Sequence, residues 1–466
     1  VAGIFLEWPV KNLFDLLFVV FFFGFCIFIH EFGHLLVALW RGLKAERFSI
    51  GFGPRLWGFT WRGVEFVVSA IPFGGYVALP QIDHAAEQPQ AGDGTPLPRA
   101  TPRDRMLTAF AGPAFNIIAG FVLALFVWWG GIYEERADMC EVLRVPADSP
   151  EHVAGLRPGD RIVAVNGAGF KKGWLEVAER IVLSKRTVLT VERGGNGAAA
   201  RLEIGFVPEP SAKFQGAGFP RFEVRSPVFI RALLADSAAA VAGLRPGDEV
   251  LAIDGVTVEN QGQFSDRIRA SAGRPLRFAI RRNGDQLEVT FQARQRLDEA
   301  GAAAWMIGVE TGSKWQKVHP DPWEQFTDFV DRTRNTLAGL AHKAIKPKHM
   351  GGPVAIIRHT WQVAHHGTFF QALAFIVFLN FSLGVLNLFP IPVLDGGHIL
   401  ISGVEWAVRR PLPSKLVNAV QTGCAALLIG FMLYITFYDV RRIDAVRNLF
   451  EKAPAAPVAA APEVTP

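Results

Sequence analysis

Cysteine is scarce in this chain. Cys26, Cys140 and Cys424 lie far apart, and two of them fall in apolar stretches, which excludes a disulfide framework and a cysteine-based zinc site. No stripe of basic residues is present, and a net charge of +5 over 466 residues suits an anionic membrane surface, not a nucleic-acid partner. Charge is missing altogether from several long runs, while hydrophobic residues make up 50% of the chain. That combination describes a membrane protein with soluble parts. The first apolar run is too long for a signal-peptide core and no small-residue cleavage site follows it, so it is expected to be retained.

What is present begins with Leu16 to Trp40, uncharged except within His30-Glu31-Phe32-Gly33-His34. At about 1.5 Å per residue a helix of this length exceeds a hydrocarbon core of roughly 30 Å, so it reads as a membrane span. An acidic group inside such a span costs about 2.5–3.5 kcal/mol on insertion and therefore faces protein and has a task. His30 and His34 stand four residues apart on one helix face, where both imidazoles can reach one metal ion with Glu31 beside the open position. This is the H-E-x-x-H pattern, in which zinc acidifies a water and the glutamate takes its proton. The bland alternative is a pair of interior-facing structural histidines.

Arg41, Lys44, Arg47, Arg55 and Arg62 follow the span and only Lys11 closely precedes it, so the positive-inside rule puts its end in the cytoplasm. Residues 46–80 are too broken by glycine and proline for a span, yet rich in aromatic residues. Val64 to Val68 and Gly74 to Val77 favour short strands of a membrane-associated hairpin. Its open edge could take up an extended peptide, or the segment could be a Trp-rich interfacial anchor. A second span is expected over Met106 to Ile132. Asn116 inside it reads as an ordinary packing residue among small neighbours.

An internal repeat follows. Ser149–Gly167 and Ser237–Gly255 share the identical core VAGLRPGD. Each copy has a short helix, a Pro-Gly turn, an alternating strand and an Asn-Gly or Asp-Gly turn. This pattern resembles the bacterial PDZ module. Such modules can bind a periplasmic peptide by strand addition, but neither copy shows a clear carboxylate-binding loop, and a steric filter is as good a reading. Asp321 to Ala344 is helix-patterned and expected at the membrane surface or against the spans. His359, His365 and His366 lack paired ligand spacing and are not taken as a second metal site.

A third span, Phe369 to Phe389, runs into Asn387-Leu-Phe-Pro-Ile-Pro-Val-Leu-Asp395-Gly-Gly-His398, whose prolines prevent a regular helix. It reaches the same leaflet as the His pair. Two histidines leave zinc in need of a third protein ligand, and Asp395 is the acidic residue in reach; a turn-forming aspartate before Gly-Gly is the bland alternative, and the shared leaflet favours the ligand. A fourth span is expected over Leu416 to Tyr438, with a disordered Ala/Pro-rich end.

Taken together, H-E-F-G-H, N-x-F-P-x-P-x-L-D-G-G-H, A-G-P-x-x-N, G-G-P-V and the tandem repeat resemble the site-2 intramembrane zinc metalloproteases of the RseP-type bacterial branch. The resemblance implies an α-helical polytopic membrane protein, with four spans and a membrane-associated β-hairpin, carrying two β-rich PDZ domains between spans two and three. The expected parts are a membrane domain over 1–137, PDZ domains over 138–220 and 221–310, surface helices over 311–368, a second membrane part over 369–440 and a tail over 441–466. His30, His34 and Asp395 would bind one zinc ion and Glu31 would be the general base. Asn387 would sit near the scissile carbonyl, and Gly74, Gly75, Val64, Phe66 and Val68 would hold the unwound substrate. The implied substrate is the transmembrane segment of an already clipped single-span protein, of the anti-sigma-factor type, or a remnant signal peptide. The implied location is the bacterial inner membrane, with the PDZ pair in the periplasm. The competing class is a non-enzymatic PDZ receptor or scaffold, which predicts no stoichiometric metal.

Overall fold

The computed structural model describes residues 13–441 apart from 83–88, 136, 138, 195–199, 211–217, 235–236, 298–302, 313–314, 348–349 and 367. The expected disordered tail lies outside the described residues, as do the side chains of His365 and His366. The chain divides into two compact units, one made of residues 1–132, 319–332 and 350–466, the other of 133–318 and 333–349.

In the first unit four helices are long and apolar enough to cross a membrane. They belong to α1 (Leu13–Trp40), α2 (Pro102–Gly130), α5 (Phe369–Asn387) and α7 (Ser414–Arg441); between them in the chain come α3 (Pro322–Ala341), of which residues up to 332 belong to this unit, α4 (Pro353–His366) and α6 (Asp395–Val408). Helix α2 starts where it does because the Thr101 hydroxyl accepts the Asp104 N–H and Pro102 occupies the first turn, and it stops at Gly131, with φ 72°. It is the hub, packing on α1, α5 and α6. Glycines allow the close approach: a Cβ on Gly33 would lie 2.6 Å from the Ala111 carbonyl oxygen, and one on Gly120 would run into Phe381. Phe326 and Phe329 of α3 pack into the same core as Phe121, Val377 and Phe381, while Trp323, Val330 and Leu337 stay exposed.

The stretch 387–398 is irregular over a shorter range than its prolines suggest. Helix α5 ends at Asn387, and the irregular residues 388–394 lead into α6 at Asp395. Gly396 and Gly397 permit this, since a Cβ at either position would meet the backbone of residues 388–392. The expected short hairpin is likewise two 15-residue strands, β1 (Arg47–Trp61) and β2 (Val64–Ala78), folded back on themselves. Gly51 and Gly53 take φ near 88° and bend β1 between its halves. Residues 47–50 therefore have partners on both sides: Arg47 with Ala78 and Ile50 with Gly75 on one, Arg47 with Glu65 and Ile50 with Val68 on the other. The sheet lies on α1, with Phe48 and Val64 buried against Leu35, Phe28 and Phe32.

The second unit holds two modules of the same plan. In chain order the strands of the first sheet run from Cys140–Arg144 to Glu223–Val224 and those of the second from Val228–Leu233 to Val309–Gly312, and in each sheet the first and last of these strands pair side by side. The first module thus takes in a strand beyond residue 220, and the chain crosses between modules at 225–227. The repeated VAGLRPGD has a structural purpose in each. Ser149 and Ser237 cap the short helices. Asp160 and Asp248 are buried, accept the backbone N–H of Arg157 and Arg245, and pair in two-pronged fashion with Arg193 and Arg282.

Candidate metal centre

Three side chains from two distant stretches meet on α1 and α6. His30 Nε2 lies 3.1 Å from Asp395 Oδ2, His34 Nε2 lies 3.5 Å from Asp395 Oδ1, and the two Nε2 atoms are 3.3 Å apart. Tetrahedral zinc with bonds of about 2.0–2.2 Å sets its ligand atoms about 3.3 Å apart, so the spacing fits. Among the described residues this is the one His/Cys/Asp/Glu group close enough to hold a metal ion.

The remaining ring nitrogens confirm which faces point inward. His34 Nδ1–H donates to the Thr108 carbonyl at 2.7 Å, leaving Nε2 as the unprotonated donor. His30 Nδ1 lies 3.4 Å from the amide of Asn116, a residue with no exposed surface. The two ends of a carboxamide have the same shape, and with Oδ1 turned to the ring Asn116 accepts the Nδ1 proton and frees Nε2 of His30. Both outer partners stand on α2. Gly112 of the same helix lies flat against the pair, for a Cβ there would collide with the His34 ring and come within 2.9 Å of His30 Cε1. Asn116 was read from the sequence as packing; only its distance to His30 reveals the polar task. Its place about one turn beyond the Ala111-Gly112-Pro113 cluster was the available signal.

Glu31 is on the same turn of α1 but turned towards the sheet. A Cβ on Gly75 would lie 3.1 Å from its Cγ, and with the Ala78 carbonyl accepting from Glu46 on the β1 side, the Val77 N–H points the other way. The Gly75 peptide, two residues back on an extended strand, turns the same way. Gly74 and Gly75 thus lie on the edge beside Glu31. Val64, Phe66 and Val68 lie instead on the inner run, flanked by residues 47–50 and 57–61, so the structure does not bring them to the metal centre. Asn387 Nδ2 is 3.5 Å from His30 Nε2. His359 lies against Phe375 and belongs to no group of three or more possible metal ligands among the described residues.

Comparison with known proteins agrees with this chemistry. Residues 18–431 match the profile of peptidase family M50. The "Regulator of sigma-E protease RseP" of Escherichia coli K12 is 29% identical over 466 residues, covering 92% of this chain and 99% of that one. The "Regulator of sigma E protease" of Salmonella typhi is 29% identical over 452 residues, covering 90% and 97%. With the profile spanning most of its length, this chain belongs to peptidase family M50 and is a zinc metalloprotease.

Proposed function

We propose that the chain hydrolyses peptide bonds within the transmembrane segment of single-span proteins already clipped outside the membrane, of the anti-sigma-factor type, with remnant signal peptides as a second substrate class. The observation that carries this reading is the edge of β2, whose Gly75 and Val77 peptides point to the side of the sheet where Glu31 stands. A helical substrate shields its own carbonyls, and pairing its backbone with this edge would hold it extended at the place of reaction.

His30, His34 and Asp395 would hold one zinc ion per chain, which when bound supplies Lewis acidity, polarising a carbonyl oxygen and acidifying water. Glu31 takes the water proton and passes it to the leaving amine, from a position beside Gly75 on the edge of β2. Asn387 is within reach of the same space and donates from Nδ2 to the substrate backbone. Thr108 and Asn116 keep the two imidazoles in the tautomers that this requires.

The arginines at the start of α2 and between α6 and α7 favour a cytoplasmic position for that end of the bundle, in a bacterial inner membrane with the paired modules in the periplasm. Those modules would act as a size filter, passing substrates that have lost their bulky outer domain.

The test uses purified full-length protein in vesicles with a single-span substrate, intact or clipped. Wild type cleaves the clipped form only, and Glu31→Gln retains zinc but yields no product. Cleavage at the wild-type rate by Glu31→Gln would overturn the assignment.

A further inference from the structure

Where α2 begins and α6 ends, the first unit holds a cleft of about 710 Å³ lined by Arg99, Arg103, Arg105, Arg409 and Arg410. The carboxylate in its wall, Glu405, is buried; it accepts from Arg105 at 2.9 Å and from the Leu412 N–H at 3.0 Å. Arg105 is deep in the wall, whereas Arg99, Arg103, Arg409 and Arg410 are exposed at the mouth. Trp406 stands at the same mouth, 56% exposed, with the Arg103 guanidinium 6.0 Å from its ring centre. Further along the same two helices Leu107 and Phe110 of α2 and Leu400 and Val404 of α6 are exposed too.

We propose that this cleft binds the phosphodiester headgroup of an anionic phospholipid. Arginine forks match phosphate oxygens in two-pronged fashion, and an exposed tryptophan beside them is the side chain that settles at a headgroup boundary. A free phosphate would satisfy the arginines equally well. It would leave the apolar flanks of α2 and α6 with no occupant, whereas the acyl chains of a lipid would lie along them. Basic pockets at the ends of membrane helices have this property in general. The inference rests on the membrane-spanning reading of α2 and α7 but not on proteolysis, so the two stand or fall on different measurements.

The experiment is native mass spectrometry of the full-length protein in detergent, with phosphatidylglycerol, phosphatidylcholine or inorganic phosphate added. Wild type should retain one phosphatidylglycerol with roughly tenfold or greater preference over phosphatidylcholine. Arg409→Gln/Arg410→Gln should lose that preference, and Arg62→Gln/Lys415→Gln, the same charge change outside the cleft, should keep it. Equal loss in both pairs would mean diffuse surface charge and overturn the site, as would retention in the cleft pair. Displacement of the lipid by equimolar inorganic phosphate would assign the cleft to a soluble anion instead. Should the cleft pair fail to fold, Trp406 in the wild type gives the answer: brominated phosphatidylglycerol should quench a fluorescence component that is missing from Trp406→Phe, and brominated phosphatidylcholine should not. Equal quenching by both lipids would refute the proposal.

Discussion

The Asn116 amide lies 3.4 Å from Nδ1 of His30 and has no exposed surface. An amide so placed would fix the ring orientation and tautomer of His30, a proposed metal ligand, without touching the metal. Replacing such an outer partner typically costs 10–100-fold in metal affinity. Asn116→Leu is close in volume and should leave α2 folded, yet zinc affinity should fall by about that factor, read by competition with a chromophoric chelator. Unchanged affinity would return Asn116 to the packing role that its surroundings of small residues suggest.

A second expectation concerns space rather than polarity. A Cβ on Gly112 would collide with the His34 ring, whereas a Cβ on Gly24 of α1 would meet nothing within 4 Å. Gly112→Ala should therefore displace the imidazoles and lower the zinc content of the purified protein. Gly24→Ala makes the same chemical change in open space and improves helix propensity by about 1 kcal/mol, so its zinc content should equal that of wild type. Equal zinc in the two variants would show that α2 yields without disturbing the ligands.

How much of this could be read from the letters alone depends on the range of each interaction. The spans and the His30/Glu31/His34 cluster are local patterns, and α1, α2, α5 and α7 run within a few residues of the apolar runs that announce them. Asp395 was legible through topology, because a span running the same way as α1 must end at the same leaflet. The folded-back sheet was not legible, since pairing Arg47 with both Ala78 and Glu65 depends on the bend at Gly51 and Gly53, and alternation gives strands but not their partners. Helix α6 was hidden by the prolines before it, which mark where a helix cannot be and say nothing of where the next begins. Neither Asn116 nor the arginine cleft has a sequence period; each exists only once α2 meets α1 or α6.

The repeated aspartates make the third prediction. Asp160 and Asp248 are buried and each holds an arginine and a turn N–H. Asn at either position keeps the shape but loses the charge that the guanidinium faces, a loss of about 1.5–3 kcal/mol for hydrogen bonds to a charged group. Hydrogen exchange of the full chain should show the substituted module opening more readily while its neighbour and the zinc content stay at wild-type values. Simultaneous loosening of both modules would mean that they fold as one cooperative body.

The last prediction follows from Arg105 and Glu405, 4% and 6% exposed and 2.9 Å apart, which join α2 to α6. Helix α6 carries Asp395 in its first turn, so this pair fixes the far end of the helix that presents the proposed third ligand. Arg105→Met would remove the cation from a buried carboxylate, a change that costs about 3–5 kcal/mol where a buried pair is broken from one side. Arg105→Met/Glu405→Leu removes both charges and should be less destabilised than the single variant, because an apolar pair of similar volume carries no desolvation cost. Thermal unfolding in detergent measures the order, and zinc affinity follows it if α6 moves as a rigid rod. A double variant weaker than Arg105→Met would show that the Glu405 bond to the Leu412 N–H, and not the ion pair, secures the turn between α6 and α7.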